Sequence, residues 1–441
     1  MKTLIKDAVV VSMNLQGKIE QENVLIENDR IAYLGNDEPE ANRVIDGREK
    51  LLIPGLIQTH VHLPQTLFRG QADDMELLTW LKKRIWPLEG AHNQESIYYS
   101  ALLGLGELLL GGTTSIVDME TVHHTESAIE AIRESGIRAI TGKAMMDHGD
   151  DLPSALKEST EESLQQSVDL LEKWHQSENG RIQYAFTPRF VLSCSEELLK
   201  EVVVLSAHYG VKIHTHASEN KGEIALVEKE KGMRNILYFE HLGLASPDLI
   251  LAHCIWVNDE ELAVLKKRQV KVVHCPSCNF KLASGIAPVP RMFAEEINVS
   301  LGADGAPCNN NLDIFQEMRM AALMQKPLHG PAAMPAREVF RMATMSGAEA
   351  MGLEKEIGSI EVGKKADLVL ISPKGMHANP VSGIDPYSLL VYSLKNSDVE
   401  MTMVDGRILM EGRELKTIEQ ERVVKKANEL IESLKVRAGI S

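Results

Sequence analysis

The feature that most limits the fold of this chain is an eightfold alternation of short apolar runs with longer helical patterns. The strand-like runs fall at residues 53–62, 113–119, 137–144, 182–189, 211–217, 249–254, 271–276 and 299–305. Alternation of this kind, repeated eight times, predicts an α/β fold with a (β/α)8 TIM barrel. Such a barrel needs about 250 residues. The chain has 441 residues, so we expect a smaller second unit beside the barrel.

The two ends of the chain have a different texture, in which short β-branched runs are separated by turn residues. These runs lie at residues 8–12, 23–26, 30–34, 366–371 and 401–410. The turns Asp46-Gly47 and Asp405-Gly406 suit tight hairpins. We therefore predict three parts, which are a small β-sandwich domain formed by both termini, a metal-dependent barrel and a C-terminal helix. Their predicted bounds are 1–53 with 359–415, 54–358, and 416–441.

Charge and hydropathy restrict the possible partners. The formal net charge of −16 argues against a nucleic-acid partner. No window approaches the roughly 18 uncharged apolar residues that a membrane helix needs, and the N-terminal apolar run is predicted to be a first strand rather than a signal peptide. Five cysteines are sparse for this length and indicate a reducing compartment. We expect a cytoplasmic homo-oligomer that acts on a small molecule.

Polar residues of chemical interest cluster where the strand-like runs end. They are His60, His62, Asp118, Arg189, His214, His216, His253, His274 and Asp304. In (β/α)8 barrels the active site forms at the C-terminal ends of the strands. Structural histidines would instead be scattered, so this clustering predicts a functional site.

Two His-x-His pairs and one aspartate suggest a metal centre. His60 and His62 are two residues apart on a strand and therefore point to the same face. His214 and His216 repeat the pattern, and Asp304 lies in Leu-Gly-Ala-Asp-Gly. Imidazoles with a carboxylate and an open position for water are typical of catalytic zinc. The alternative for either pair is solvated or hydrogen-bonded histidines at a strand end.

Other residues near the strand ends have competing interpretations. Cys275-Pro-Ser-Cys278 could belong to a zinc knuckle, but a single CxxC is weak evidence, and we expect a loop at the mouth with Asn279 and Lys281 near the pocket. Glu219 would ordinarily be a solvated carboxylate, yet beside activated water it could transfer a proton. His253 could be a satisfied core histidine, although its strand-end position favours the pocket.

Seven ordered motifs resemble the amidohydrolase superfamily, in its branch of aromatic-heterocycle deaminases and triazine hydrolases. They are PGLIQTHVH, GGTTSIVDM, HTHASEN, LAHC, HCPSCNFKLASGIAPVPRM, LGADGAPCNNNLDIFQEMRMAALMQK and IGSIEVGKKADLVL. They cover nearly the whole chain in the same order as in that branch. The resemblance is therefore specific.

This resemblance implies one divalent metal ion, with zinc the first choice and iron possible. The implied ligands are His60, His62, His216 and Asp304. Glu219 is then the proton-transferring acid/base, His253 lies beside the attacking water, and Asp304 accepts the proton of that water. Binuclear relatives use a fourth-strand lysine, which this chain lacks. Lys143, at the end of the third strand, is the one residue that could change the count.

The implied reaction is hydrolytic deamination of an amino-substituted purine or related N-heterocycle, with release of ammonia. Gln65, Trp80, Arg189 and Phe190 resemble residues of guanine deaminases. Other motifs look more like deaminases of S-adenosylhomocysteine, methylthioadenosine and 5'-deoxyadenosine, in which a glutamate such as Glu89 holds the ribose diol. That group has histidine where this chain has Arg189, so the choice between the two stays open.

Two further functions remain as alternatives. Triazine hydrolases share the scaffold and expel chloride or an alkylamine, sometimes without the acid/base glutamate. The presence of Glu219 favours release of ammonia here. A barrel without metal could instead serve as a binding protein, but it would be expected to have lost a ligand, and all four are present.

Overall fold

The structure, a computed structural model, describes residues 2–149 and 151–440. Its strands are β1 (Lys2–Val11), β2 (Ile19–Glu27), β3 (Arg30–Gly35), β4 (Arg43–Asp46), β5 (Leu51–Pro54), β6 (Leu56–His62), β7 (Thr113–Met119), β8 (Arg138–Gly142), β9 (Ala144–Met145), β10 (Ile182–Tyr184), β11 (Thr187–Pro188), β12 (Ile213–Ala217), β13 (Leu249–His253), β14 (Lys271–His274), β15 (Val299–Leu301), β16 (Asp304–Gly305), β17 (Leu368–Ile371), β18 (Val399–Val404), β19 (Arg407–Glu411) and β20 (Glu414–Leu415).

Helices occupy most of the chain between the barrel strands. They are α1 (Leu77–Trp80), α2 (Trp86–Gly90), α3 (Gln94–Leu110), α4 (Thr125–Ser135), α5 (Thr160–Trp174), α6 (Ser177–Gly180), α7 (Glu196–Tyr209), α8 (Lys221–Lys231), α9 (Asn235–Leu242), α10 (Asp259–Arg268), α11 (Pro276–Lys281), α12 (Val289–Ala294), α13 (Ala306–Asn309), α14 (Ile314–Met324), α15 (Lys326–His329), α16 (Ala336–Met342), α17 (Met345–Met351), α18 (Pro386–Ser388) and α19 (Gln420–Ala438). None of the described helices combines the length and the apolar character needed to cross a bilayer.

Strands from both ends of the chain form one sheet, in the order β20-β19-β18-β17-β5-β1-β2-β3, with β4 beside β1. The two ends meet where β17 pairs antiparallel with β5, so that Leu368 faces Pro54. Alternate residues such as Ile5, Leu52 and Leu370 are buried in an apolar core on this sheet. The prediction that the two β segments pair with each other therefore agrees with the strand order.

The central strands are all parallel, as expected for a fold of the TIM-barrel type. One group runs in the order β10-β8-β7-β6-β16, and another runs β12-β13-β14-β15. A parallel bridge joins Phe186, between β10 and β11, to Ile213 at the start of β12. Each of the eight predicted strand-like runs contains an observed strand.

Four of those runs are interrupted, which the sequence did not indicate. The first divides at Gly55 into β5, in the terminal sheet, and β6, in the barrel. An ideal Cβ on Gly55 would lie 2.0 Å from Thr114 Oγ1, so only glycine lets the chain pass this close to β7. The third, fourth and eighth runs divide into β8 with β9, β10 with β11, and β15 with β16.

The C-terminal helix packs along one face, as predicted. Its buried residues Val423, Ala427, Leu430 and Leu434 recur every three or four positions, which places them on one side of α19. The observed helix, Gln420–Ala438, is shorter than the predicted segment 416–441. Gly439 ends it in the left-handed conformation, with φ of 66°.

Candidate active site

Four predicted metal ligands meet at the C-terminal ends of the barrel strands. We call them the ligand cluster: His60 and His62 at the end of β6, His216 in β12, and Asp304 in β16. Asp304 Oδ1 lies 3.3 Å from His60 Nε2 and 3.4 Å from His62 Nε2. The Nε2 atoms of His62 and His216 are 3.2 Å apart. The rings of His60 and His62 therefore lie on the same face of β6, as their spacing of two residues predicts.

Each imidazole of the ligand cluster is held through its other ring nitrogen. His62 Nδ1 is 2.9 Å from the carbonyl of Met119, and His216 Nδ1 is 2.7 Å from the carbonyl of Arg189. His60 Nδ1 is 2.8 Å from Nε2 of His214. Because a carbonyl only accepts, the hydrogens of His62 and His216 lie on Nδ1, and their Nε2 lone pairs point inward. This is the usual support for metal-binding histidines.

The arrangement fits a divalent cation. Burial lowers the pKa of His62 to about 3 and the pKa of His216 well below its ordinary value, so both rings are neutral. Two lone pairs and a carboxylate therefore converge without a donor between them. His60 Nε2 is also buried and has no hydrogen-bond partner in the described chain. A bound cation would satisfy all of these acceptors at once.

Glu219 and His253 lie next to the ligand cluster. His253 Nε2 is 3.4 Å from Glu219 Oε2 and 3.7 Å from Asp304 Oδ2. The turn that carries Glu219 is held by the start of α8, because Glu223 Oε2 accepts a 2.9 Å hydrogen bond from the backbone N–H of Glu219. Burial raises the pKa of Glu219 to about 7. At neutral pH its carboxyl group can therefore both give and take a proton.

The backbone around these residues is unusual. Ser218, His253, Cys254 and Asp304 all have positive φ, between 46° and 74°. Conformations of this kind in residues other than glycine cost energy and cluster at functional sites. They turn the side chains from the strand ends towards a common point.

A cavity of about 460 Å³, counted with its part open to solvent, lies above the ligand cluster. Its lining is His62, Gln65, Leu77, Trp80, Leu81, Arg189, Phe190, His216, Glu219, Glu223, His253, Leu282 and Asp304. Apolar side chains thus surround the polar ones, as in sites for small aromatic molecules. Most of the residues predicted from the sequence line this single space.

One wall of the cavity is a closed set of polar contacts, which we call the recognition wall: Gln65, Glu89 and Arg189. Arg189 Nη1 donates to Glu89 Oε2 at 2.6 Å, and Gln65 Nε2 donates to Glu89 Oε1 at 2.9 Å. Glu89 lies behind the other two and is not in the cavity lining. Gln65 Oε1 is buried without a partner in the described residues. It is the open acceptor of this wall.

Glycine next to Asp304 leaves room for the close approach of the recognition wall. An ideal Cβ on Gly305 would lie 2.1 Å from Gln65 Oε1, far inside any real contact. On the other side of Asp304, a Cβ on Gly302 would lie 2.6 Å from the carbonyl oxygen of His60. The Gly-Ala-Asp-Gly sequence therefore lets β6 and the following helical turn pack against the carboxylate.

Trp80 and Glu89 lie on one helical segment. Between α1 and α2, residues Leu81–Ile85 form a π-helical turn, and the three pieces follow each other without a break. Such turns are frequent at functional sites. Trp80 and Phe190 are both largely buried and face the cavity.

Other residues considered from the sequence lie away from the cavity lining. Lys143 is buried and pairs with Glu158, with its Nζ 2.5 Å from Glu158 Oε2. Asp118 accepts from the N–H of Leu63 and the hydroxyl of Thr141, so it anchors the start of the turn that follows His62. Lys143 and Asp118 thus both have structural partners.

The Cys275–Cys278 segment differs from the expected loop. Residues Pro276–Lys281 form helix α11, with Cys275 at its start. Within the described chain, no group of metal-ligating atoms lying within 4.8 Å of one another contains both cysteines. Lys281 turns outward and donates to the carbonyl of Pro307. The zinc-knuckle alternative therefore has no geometric support.

The sequence placed His214 and Asn279 near the site without indicating their contacts, and it did not single out Glu223 or Ser284. His214 supports His60, Glu223 supports the backbone of Glu219, and Asn279 and Ser284 contact His253 and Glu219. The capping-box spacing of Asn220 and Glu223 was a usable signal for Glu223. No pattern in the sequence indicates the contacts of Asn279 and Ser284.

The chain is similar to known proteins over nearly all of its length. Residues 51–409 match the amidohydrolase family. A 5'-deoxyadenosine deaminase of Methanobrevibacter smithii is 42% identical over 435 residues, covering 98% of each chain. A 5-methylthioadenosine/S-adenosylhomocysteine deaminase of Thermoanaerobacter pseudethanolicus is 39% identical, covering 98% of this chain and all of the relative.

Solved structures are similar over the same length. An adenosine deaminase from Xanthomonas campestris with bound zinc has a TM-score of 0.92 and 29% identity, covering 98% of both chains. Atrazine chlorohydrolase from Arthrobacter aurescens complexed with zinc has a TM-score of 0.91 and 26% identity, covering 97% and 100%. Guanine deaminase of E. coli has a TM-score of 0.82 and 29% identity, covering 93% and 99%.

Proposed function

The chain belongs to the amidohydrolase family, and from this premise we propose that it is a metal-dependent hydrolase that deaminates an amino-substituted purine or related N-heterocycle. Water replaces the amino group at a ring carbon, leaving a ring carbonyl and ammonia. The observation that carries the proposal is the convergence of the ligand cluster, Glu219 and His253 on one cavity. Relatives named as deaminases at about 40% identity support it.

We propose that the ligand cluster holds one divalent ion, with zinc the first choice and iron the alternative. The neutral imidazoles and the single carboxylate suit zinc, and imidazole also suits iron. A divalent ion there supplies Lewis acidity, which makes water a nucleophile near neutral pH. The pairing of Lys143 with Glu158 supports a single ion, because the lysine is not free to bridge two.

The proton transfers are assigned to two residues of this chain, and a third residue assists them. Asp304 takes a proton from the attacking water, and Glu219 delivers a proton to the ring nitrogen beside the reacting carbon. His253 Nε2 steadies the oxygen added to that carbon by accepting a hydrogen bond from its remaining O–H. The distances from His253 to Glu219 and Asp304, 3.4 and 3.7 Å, leave these groups around one reacting centre. Positioned proton transfer of this kind contributes about 10²–10⁴ in rate.

We propose two substrate types, in order of preference. The first is an adenosine derivative altered at the 5' position, which the names of the 42% and 39% identical relatives favour. The second is guanine, which the recognition wall favours. Both oxygens of Glu89 are already bonded to Gln65 and Arg189, whereas Arg189 retains further donors and Gln65 Oε1 is an open acceptor. Donors beside an acceptor complement the oxygen and N–H edge of an oxo-purine.

The testing experiment is an ammonia-release screen of the zinc-loaded protein across purines and related rings. It compares guanine, adenosine, methylthioadenosine, S-adenosylhomocysteine, 5'-deoxyadenosine, pterins and melamine. Release from adenosine compounds supports the first substrate type, and release from guanine supports the second. If Arg189→Ala lowers guanine turnover and spares adenosine compounds, the guanine assignment stands. Absence of ammonia from every compound would overturn the proposed function.

The other functions have less support. Triazine hydrolysis is represented among similar structures, but at 26% identity, and Glu219 favours release of ammonia. A binding protein without metal would not need all four ligands and two proton-transferring groups together. Release of chloride from a chlorotriazine, with no ammonia from the purines, would favour the triazine alternative.

The domain organisation remains a proposal with the predicted bounds. We propose that residues 54–358 close into a barrel, that the terminal sheet folds into a β-sandwich, and that the last helix packs outside them. Pairing of β16 with β6 and the bridge from Phe186 to Ile213 support the closure. We also propose a homo-oligomer in the cytoplasm. Light scattering of the purified protein tests its mass.

A further inference from the structure

Helix α11 and the residues after it form a segment, 275–285, that touches both His253 and Glu219. Asn279 is fully buried, and its Oδ1 lies 3.1 Å from Nδ1 of His253. The hydroxyl of Ser284 lies 3.4 Å from Oε1 of Glu219. Both contacts are made by one short piece of chain.

This segment is held independently of the two groups that it touches. The carbonyl of Ser284 accepts a 2.7 Å hydrogen bond from Nε1 of Trp256. The backbone N–H of Ser284 donates to the carbonyl of Asn279 at 2.9 Å. The next residue, Gly285, has φ of 138°, and a Cβ there would lie 2.7 Å from the ring of Trp256. The position of the segment is therefore determined by its own packing.

The contact of Asn279 determines which nitrogen of His253 carries hydrogen. An amide oxygen only accepts, so Nδ1 of His253 must donate to it. Nε2 is then the nitrogen that faces Glu219 and Asp304, where the reacting atoms would lie. The reverse tautomer would set two acceptors against each other at Nδ1. In histidines generally, the partner of one ring nitrogen sets the state of the other.

We propose that Asn279 is a positioning residue, which keeps His253 in the Nδ1–H tautomer, and that Ser284 orients Glu219 from the same segment. The proposal rests on the proposed function, because Glu219 is assigned there to proton transfer and His253 to steadying the added oxygen. Neither Asn279 nor Ser284 belongs to the cavity lining, where substrate contacts would lie. Their effect is on the state and direction of groups that do.

The first test needs no substrate, so its outcome does not depend on the proposed function. Nitrogen-15 NMR of zinc-loaded protein, labelled at histidine, reports which ring nitrogen is protonated. The His253 signals are assigned by their loss in His253→Gln. Hydrogen on Nδ1 in the unaltered protein, and a changed signal in Asn279→Leu, are expected. An unprotonated Nδ1 in the unaltered protein would overturn the proposal, since the amide would then present its NH₂ group.

The second test separates positioning from packing by comparing two substitutions at one site. Asn279→Leu keeps the number and branching of the side-chain heavy atoms and removes the acceptor, whereas Asn279→Asp keeps an acceptor. Loss of the correct tautomer should lower kcat by about 100-fold in the leucine variant, with little change in KM. The aspartate variant should recover at least about tenfold of this loss, by the same reasoning. Equal kcat in the two variants, or a change confined to KM, would contradict the proposal.

Controls are available in the same segment. Ser277 also lies on α11, and its buried hydroxyl has no hydrogen-bond partner in the described residues. Ser277→Ala should therefore leave kcat and KM unchanged. Ser284→Ala should lower kcat by a smaller factor than Asn279→Leu, because its 3.4 Å contact is longer. If Asn279→Leu does not fold, the NMR spectrum of the unaltered protein still decides the tautomer.

Discussion

The ligand cluster and the recognition wall face the same cavity but are built in different ways. The ligand rings of His62 and His216 are held by carbonyls of the chain, from Met119 and Arg189. The wall instead consists of side chains that hold one another, with Glu89 between Gln65 and Arg189. A backbone contact survives most substitutions nearby. In a closed set of side chains, a substitution of one member removes a hydrogen-bond partner of another.

If the two regions have the roles proposed above, this difference separates metal binding from the choice of substrate. The ligand cluster can be retained while the wall takes new partners, because no ligand depends on a side chain of the wall. One link joins the two regions, since the carbonyl that holds His216 belongs to Arg189. That link runs through the backbone, so a substitution of the Arg189 side chain leaves it in place. The following experiments test whether the two regions are separable in this sense.

Removal of one ligand should have the largest effect. We expect His60→Ala to abolish both activity and stoichiometric metal, because the ring also bonds His214 and faces Asp304. Metal analysis and ammonia release measure the two losses. His208→Ala, at an exposed position of α7, is the matched control and should change neither. An active variant without metal would sink the mechanism.

Removal of the proton-transferring carboxyl should affect turnover and not metal content. We expect Glu219→Gln to lower kcat by about 10²–10⁴ while the metal is retained, because only proton transfer is lost. Stopped-time ammonia assays and metal analysis are the measurements. Glu228→Gln, on the exposed side of α8, should behave like the unaltered protein. Loss of metal in Glu219→Gln would show that metal binding and proton transfer are not independent.

Opening the recognition wall should affect stability. We expect Arg189→Met to lower the free energy of unfolding by about 3–5 kcal/mol, because Glu89 is left buried without its cation. The double variant Arg189→Met, Glu89→Gln should recover part of the loss, since no charge is then buried alone. Denaturant unfolding measures both, and metal content should stay stoichiometric in each. An unchanged midpoint in the single variant would contradict this account of the wall.

Loss of His214, the histidine that supports His60, should give the smallest effect. We expect His214→Phe to weaken metal binding by about 10–100-fold, which is usual when a group that supports a metal ligand is removed. His214 Nε2 is the partner of His60 Nδ1, so the ring of His60 would lose its orientation. Competition with a chelator measures the affinity, and His208→Phe is the control. Unchanged affinity would mean that packing alone orients His60.

Where residues are close in the chain or share a strand period, the sequence was sufficient. The spacing of His60 and His62 predicted a shared face, and the strand–helix alternation predicted a barrel whose strands end together. The choice of His216 over His214 needed the family resemblance, because both lie on the same face of β12. The structure shows His214 supporting His60 instead.

Contacts between distant residues could not be predicted. Glu89 and Arg189 are 100 residues apart, and nothing in either local pattern indicates that they pair. Asn279 and His253 meet because α11 turns back over the end of β13, where a loop was expected. The interruption at Gly55 depends on the position of Thr114 in the neighbouring strand. Each of these features depends on packing, which local propensity does not contain.

The missing Cβ at Gly305 has a consequence for efforts to change the substrate. Because that Cβ would overlap Gln65 Oε1, positions 65 and 305 cannot be varied one after the other. A mutant library that randomises Gln65 alone samples only shapes compatible with glycine opposite, and one that randomises Gly305 alone forces the amide group of Gln65 out of its place. Protein engineers should therefore treat the two codons as one unit and diversify them together.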